Sequence, residues 1–187
     1  MPTLNNTTKV LNDICEIIEG ITIPNDIEII GSGAFEGCAS LKEIVIPNSV
    51  NTIRECAFMN CSALTDVIIG NKVDYIDDCA FMSCSALTKI TIPNSVIHIG
   101  DSVFYRCVSL AEITIPSSVI HIGDCAFWGC KSLTEIFIPS SVNYIGYGAF
   151  YDCSSLKAIY IDKEKGFFNL RNTRIPETCK IYWKGEF

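Results

Sequence analysis

The chain repeats itself every 23 residues, and no other feature restricts its fold so severely. Ile23, Ile46, Ile69, Ile92, Ile115, Ile138 and Ile161 mark one column of the repeat. Phe35, Phe58, Phe81, Phe104, Phe127 and Phe150 mark a second. Two more run through Cys38, Cys61, Cys84, Cys107, Cys130 and Cys153, and through Leu41, Leu64, Leu87, Leu110, Leu133 and Leu156. No insertion disturbs the register between Ile21 and Ile161. A unit this short cannot enclose its own apolar side, so successive units must stack as rungs around one continuous core. With 49% of its 187 residues hydrophobic, the chain has enough apolar surface for one such domain.

One unit reads Leu41-Lys-Glu-Ile44-Val45-Ile46-Pro47-Asn-Ser-Val50-Asn-Thr-Ile53-Arg-Glu-Cys56-Ala57-Phe58-Met-Asn-Cys61. Apolar residues alternate through Ile44 and Ile46, the period-two signal of a short strand. Pro47 ends it, because proline has no N–H to donate to a ladder. Val50 and Ile53 begin a second short extended segment. Ala57, Phe58 and Cys61 have the spacing of a single helical turn, preceded in successive units by Ser32, Glu55, Asp78, Asp101 or Asp124. Four of these five are acidic, and Ser and Asp cap helices well, so the position suits a helix start. Stacked rungs place equivalent strands side by side about 4.8 Å apart in a parallel sheet.

The strand pattern L-x-x-I-x-I-P is that of a leucine-rich repeat. The full unit, A-F-x-x-C-x-x-L-x-x-I-x-I-P-x-S-V-x-x-I-G, resembles the BspA-like, or Treponema-type, leucine-rich repeat over Ile21 to Ile161. Gly70 and Asp162 depart from it at the strand-end proline, and Arg54 and Asp77 at the corner glycine. The resemblance implies an α/β solenoid, a right-handed horseshoe of seven rungs. Its parallel sheet would line the concave face, with short strands and single helical turns on the convex side. It also implies surface adhesins and secreted proteins of commensal bacteria, or surface proteins of protists. Such proteins bind host matrix proteins or cells without catalysing a reaction, which places this chain at the cell surface or outside it. Met1 to Lys9 is polar and shows no signal-peptide core, so a cytoplasmic location stays open.

Repeat stacks expose their cores at both ends and need atypical sequence there. Val10, Leu11, Ile14, Cys15, Ile17 and Ile18 follow a helical stripe, predicting an N-terminal capping helix within residues 1–20. Repeats then fill residues 21–165. Residues 166–187 form a C-terminal cap in which Phe167, Phe168, Tyr182 and Trp183 plug the last coil and Cys179 to Trp183 make a closing strand; an exposed Trp183 is the alternative.

Composition excludes several partners. Asp and Glu number 21 against 14 Lys and Arg, a net charge of −7, which disfavours nucleic acid and anionic membranes. No stretch approaches the roughly 20 apolar residues of a spanning helix. No phosphate loop, nucleophile elbow or HExxH is present, so no catalytic residue is assigned. Nor is a cofactor. The cysteine column reads as small buried hydrophobes, because in-register Cβ vectors run side by side and disfavour disulfides. The local pairs Cys56/Cys61, Cys79/Cys84 and Cys125/Cys130 lack zinc-ligand spacing. Free thiols in such number fit a reducing or anaerobic setting. His98 and His121 fall one rung apart in a row with Thr52, Tyr75 and Tyr144; a third metal ligand is missing, and an outer aromatic ladder accounts for them.

One outward row has a functional look. The residue between the two inward isoleucines is Thr22, Val45, Ile68, Thr91, Thr114, Phe137 and Tyr160 in turn. Beside it run Glu43, Asp66, Lys89, Glu112 and Glu135, a mostly acidic row. An apolar and acidic open sheet fits a protein or glycoprotein ligand, while β-propensity alone would also favour Thr, Val and Tyr there. The expected binding residues are therefore Val45, Ile68, Thr91, Thr114, Phe137 and Tyr160 with Glu43, Asp66, Glu112 and Glu135. A passive spacer in a larger surface or intracellular assembly is the competing expectation.

Overall fold

The computed structural model describes residues 10–11, 21–168 and 170–187. Fourteen short strands follow in chain order. They begin with β1 (Val10–Leu11), β2 (Ile29–Ile30), β3 (Glu43–Ile46), β4 (Thr52–Ile53), β5 (Asp66–Ile69), β6 (Tyr75–Ile76) and β7 (Lys89–Thr91). They continue with β8 (His98–Ile99), β9 (Glu112–Thr114), β10 (His121–Ile122), β11 (Glu135–Ile138), β12 (Tyr144–Ile145), β13 (Ala158–Ile161) and β14 (Lys180–Trp183). Most rungs contribute one longer and one shorter strand; every pairing is parallel, and those from β2 to β13 keep the 23-residue register, which the β1–β2 pairing does not. The longer strands form a face laddered as β3-β5-β7-β9 and β11-β13-β14. The shorter ones form an unbroken sheet, β1-β2-β4-β6-β8-β10-β12.

The result is a parallel β-solenoid of about seven turns with two sheet faces, the long-strand face being split into two ladders. It differs from the expected α/β horseshoe. No α-helix occurs among the described residues, and a 3-10 turn at Leu170–Thr173 is the helical element they contain. The reason lies in the turn that follows each short strand. Its backbone is left-handed at Cys56 (φ 57°) and again at Asn60 (φ 62°), and likewise at Cys79 and Ser83 in the next rung. A helix cannot pass through such residues, so three right-handed positions are all that lie between them. Alternate N–H groups close tight turns within the rung, as Ala57 to the Arg54 carbonyl and Met59 to the Cys56 carbonyl. Those between them reach the next rung: Cys56 donates to the Asp78 carbonyl, Phe58 to Ala80 and Asn60 to Met82. The turns are therefore bonded from rung to rung rather than along an axis of their own.

The acidic position ahead of each turn also works between rungs. Asp78, Asp101 and Asp124 each accept, through Oδ1, the backbone N–H of the equivalent residue one rung on, all at 2.7 Å. These are caps on a solenoid corner, not on a helix. At the Gly100, Gly123 and Gly146 corners the rungs come too close for a side chain, although Arg54 and Asp77 hold the same position in earlier rungs. A Cβ on Gly123 would stand 2.5 Å from the carbonyl carbon of Gly100.

Inside, the repeat columns become stacks. Leu87, Ile90, Ile92, Val96, Ile99 and Phe104 are all buried, as are their equivalents along the chain apart from the partly buried Ile21 and Ile145. The six phenylalanine rings lie nearly parallel, with centroids 4.8 Å apart for Phe35–Phe58 and 5.8 Å for Phe127–Phe150. At the far end β14 pairs with β13, setting Trp183 beside Ile161, and the indole is buried. Phe168 packs against the core edge, whereas Phe167 stays exposed beneath the Lys163 ammonium, 3.9 Å from its ring centroid. At the near end, Val10 and Leu11 lie in a strand paired to Ile29 and Ile30. The rest of the helix expected over residues 1–20 lies outside the described residues.

Candidate functional site

The outer face of the long-strand sheet carries the row singled out above. Pleating alternates exposed and buried residues along β3, β5 and β11, so Val45, Ile68 and Phe137 stand out while Ile44 and Ile46 turn in. Val45 and Ile68 are 56% and 57% exposed, large values for aliphatic side chains, and they are paired neighbours. Thr91 and Thr114 continue the row, exposed, on β7 and β9. Phe137 is also exposed, and Tyr160 beside it is half-buried. The row runs over six rungs, with a lapse in laddering between β9 and β11.

The acidic row is less uniform than its residues imply. Glu43 and Asp66 are paired neighbours, both exposed, and concentrate negative charge beside Val45 and Ile68. Lys89 instead binds Glu112 at 3.2 Å, which cancels Glu112 locally. Glu135 faces Ala158 on the next strand. Negative charge thus gathers at the Glu43–Asp66 end of the row, while at the other end Glu135 is followed by Ala158 and then Lys180.

Sequence reasoning did not foresee what covers Tyr160. Its ring stacks on Tyr182 of β14 with centroids 5.2 Å apart, and Phe187 sits edge-on against both Tyr160 and Phe137. Tyr182 has no counterpart in the 23-residue register, so periodicity offers no signal for it. The face opposite was partly legible. Tyr75, His98, His121 and Tyr144 form the expected ladder on the short-strand sheet, with successive centroids 5.6, 5.8 and 4.6 Å apart. The Tyr144 hydroxyl donates to Asp124 at 3.3 Å. Burial and the nearby carboxylates push the Tyr75 and Tyr144 hydroxyls above the ordinary tyrosine range. A third ladder, Tyr105–Trp128–Tyr151, runs along the turns and could have been read from the same 23-residue step. Among the described residues no group of three or more His, Cys, Asp or Glu side chains is arranged to hold a metal ion.

The cysteine column does more than fill space. Cys61, Cys84, Cys107, Cys130 and Cys153 each donate an S–H bond, at 3.0–3.2 Å, to the phenylalanine carbonyl at the turn of the preceding rung. Burial pushes the Cys107 and Cys153 thiols up to about 12. Hydrogen bonding with Cys61, followed by burial, also raises Cys84 strongly. Such thiols are protonated and unreactive at neutral pH. Nine described cysteines are free. Cys38 is disulfide-bonded, which corrects the expectation of a wholly reduced column. It heads the column and is slightly open to solvent at 7%, where Cys61 to Cys153 are at 0%.

Taken together, the faces present rows of side chains rather than converging groups around a reacting atom. A repetitive two-sheet solenoid with flat, regularly spaced outer rows is a recognition scaffold by geometry. The chain belongs to the BspA-type leucine-rich repeat family, whose model matches residues 9–131 and 75–181 in six copies. Members of this family are generally protein-interaction modules and typically not enzymes. The chain is similar to the crystal structure of a leucine-rich repeat protein of T. pallidum, with 29% identity and a TM-score of 0.70 over 91% of this chain and 78% of that one. It is also similar to a leucine-rich cell surface protein of Faecalibacterium prausnitzii A2-165, with 38% identity and a TM-score of 0.67 over 75% of this chain. The match spans 38% of the length of the F. prausnitzii protein. No curated protein sequence matches the chain. Among the described residues no helix is long and apolar enough to cross a membrane.

Proposed function

We propose that the chain is a protein-binding module of the cell surface that engages a protein or glycoprotein, such as a host matrix protein, through the outer face of its long-strand sheet. The observation that carries this reading is the outward row of exposed Val45, Ile68, Thr91, Thr114 and Phe137 with half-buried Tyr160, flanked by Glu43, Asp66, Glu112 and Glu135. Interfaces draw most of their energy from a few apolar and aromatic anchors, and this row supplies four. Glu43 and Asp66 add attraction for Lys or Arg, so association weakens as salt rises. Surface location is supported by likeness to the F. prausnitzii protein, whose name places it there.

The test is biosensor binding of the intact chain to a panel of purified matrix glycoproteins at low and high salt. Val45→Lys with Ile68→Lys places charge on exposed sites and leaves the core untouched. Binding should fall about a hundredfold or more, the loss of one or two anchors, with the melting transition unchanged. Undiminished binding by this folded double variant would move the interface to another face.

A further inference from the structure

We propose that Phe137, Tyr160 and Tyr182 form a receptor for one aromatic side chain of the partner, and that Phe187 of this chain occupies it as an internal stand-in. This rests on the reading that the long-strand sheet is the binding face. Three consecutive strands deliver the three rings in register, Phe137 beside Tyr160 and Tyr160 beside Tyr182. Phe187 meets Phe137 at 6.0 Å and 86°, and Tyr160 at 5.5 Å and 72°. Both contacts are edge-to-face, the arrangement in which the positive ring edge meets a negative ring face. The cradle therefore already selects an aromatic group by geometry.

The delivery of Phe187 is specific, yet its hold is slight. Past β14 the chain reverses through Gly185 (φ 86°). The Glu186 N–H donates to the Trp183 carbonyl at 2.9 Å, and the Trp183 N–H donates to Glu186 Oε2 at 2.8 Å. This turn folds Phe187 back over the outer row, not into the core. There it remains 55% exposed. A side chain so held is displaceable, and a partner that seats an aromatic residue there while its other residues touch Thr114, Ile68 and Val45 would outcompete it. While it is bound, the fraction of empty cradles is reduced and apparent affinity falls by that fraction.

The experiment compares the parent chain with Phe187→Ala, titrating each with N-acetylphenylalaninamide and with N-acetylleucinamide and following the Phe137, Tyr160 and Tyr182 ring resonances by NMR. The phenylalanine probe should shift those resonances in both proteins, with about tenfold higher affinity for Phe187→Ala, and the leucine probe should bind more weakly to each. Equal affinity in the two proteins, no preference for the aromatic probe, or shifts confined to other residues would each overturn the proposal. The two readings fail separately. If matrix proteins bind through Val45 and Ile68 but no more tightly to Phe187→Ala, the stand-in is wrong and the binding face stands. If the probe result holds while no matrix protein binds, the receptor stands and the wider function fails.

Discussion

Replacing Phe104 by alanine removes the ring near the centre of the column that runs through the solenoid. The side chain is fully buried and stacks between Phe81, at 5.9 Å, and Phe127, at 5.6 Å. Deleting a buried phenylalanine ring costs about 3–5 kcal/mol when the surroundings relax only partly. Relaxation is restricted here, because the backbone on either side is bonded to adjacent rungs, Phe104 N–H to the Ala126 carbonyl among others. Each lost ring contact contributes about 0.5–1.5 kcal/mol of that total. Phe150 ends the column and stacks on Phe127, so the same deletion there forfeits one ring contact where Phe104 forfeits two. Phe104→Ala should therefore cost more than Phe150→Ala by about 0.5–1.5 kcal/mol. Urea titrations of the parent and both variants, followed by far-ultraviolet circular dichroism, measure the two losses and show whether the slopes agree. A loss below about 2 kcal/mol for Phe104→Ala, or one no larger than for Phe150→Ala, would refute the stacked-core reasoning.

Two other outcomes follow from the rung contacts. Gly123→Ala should destabilise by about 1–3 kcal/mol, although glycine-to-alanine changes at unstrained sites stabilise, because the new methyl would collide with the Gly100 backbone; a thermal melt no lower than the parent's would show that the corner can open. The protein should also lose stability as pH rises from about 9 towards 12. Unfolded thiols ionise from about pH 9, while burial holds the Cys107 and Cys153 protons until about 12, so across that window the folded state binds more protons. Each thiol then contributes a loss of about 1.4 kcal/mol per pH unit. Denaturant midpoints that stay level from pH 9 to 11 would contradict the buried, protonated column.

Periodicity alone revealed which side chains face the core, because in stacked rungs the inward positions are dictated by the repeat. Leu87, Ile90, Val96 and Phe104 were readable this way, and so were the outer rows through Val45 and through His98. The spacing of Ala57, Phe58 and Cys61 misled for a physical reason. An i, i+3, i+4 pattern reports which residues share a side of a turn, and a tight turn flanked by left-handed Cys56 and Asn60 satisfies it as well as a helix does. Neither the thiol bond from Cys107 to the Phe81 carbonyl nor the bond from the Asp124 N–H to the Asp101 carboxylate is visible in one unit. Both partners lie on different rungs, and the bonds exist only once the rungs are stacked.

The same division applies to the candidate site. The row of Val45, Ile68, Phe137 and Tyr160 and its acidic flank follow from the 23-residue step and the alternation of a strand. The salt bridge of Lys89 with Glu112 is a contact across rungs that the row could accommodate but did not compel. The addition of Tyr182 to the aromatic group, and the return of Phe187 onto it, lie where the repeat has ended. The sequence by itself thus determined the register, the core columns and the composition of each outer row, since these depend on local alternation and on period. Only the tertiary structure decided the two-sheet cross-section, the bonds between rungs and the covering of the aromatic patch, since these depend on how separate turns approach one another in space.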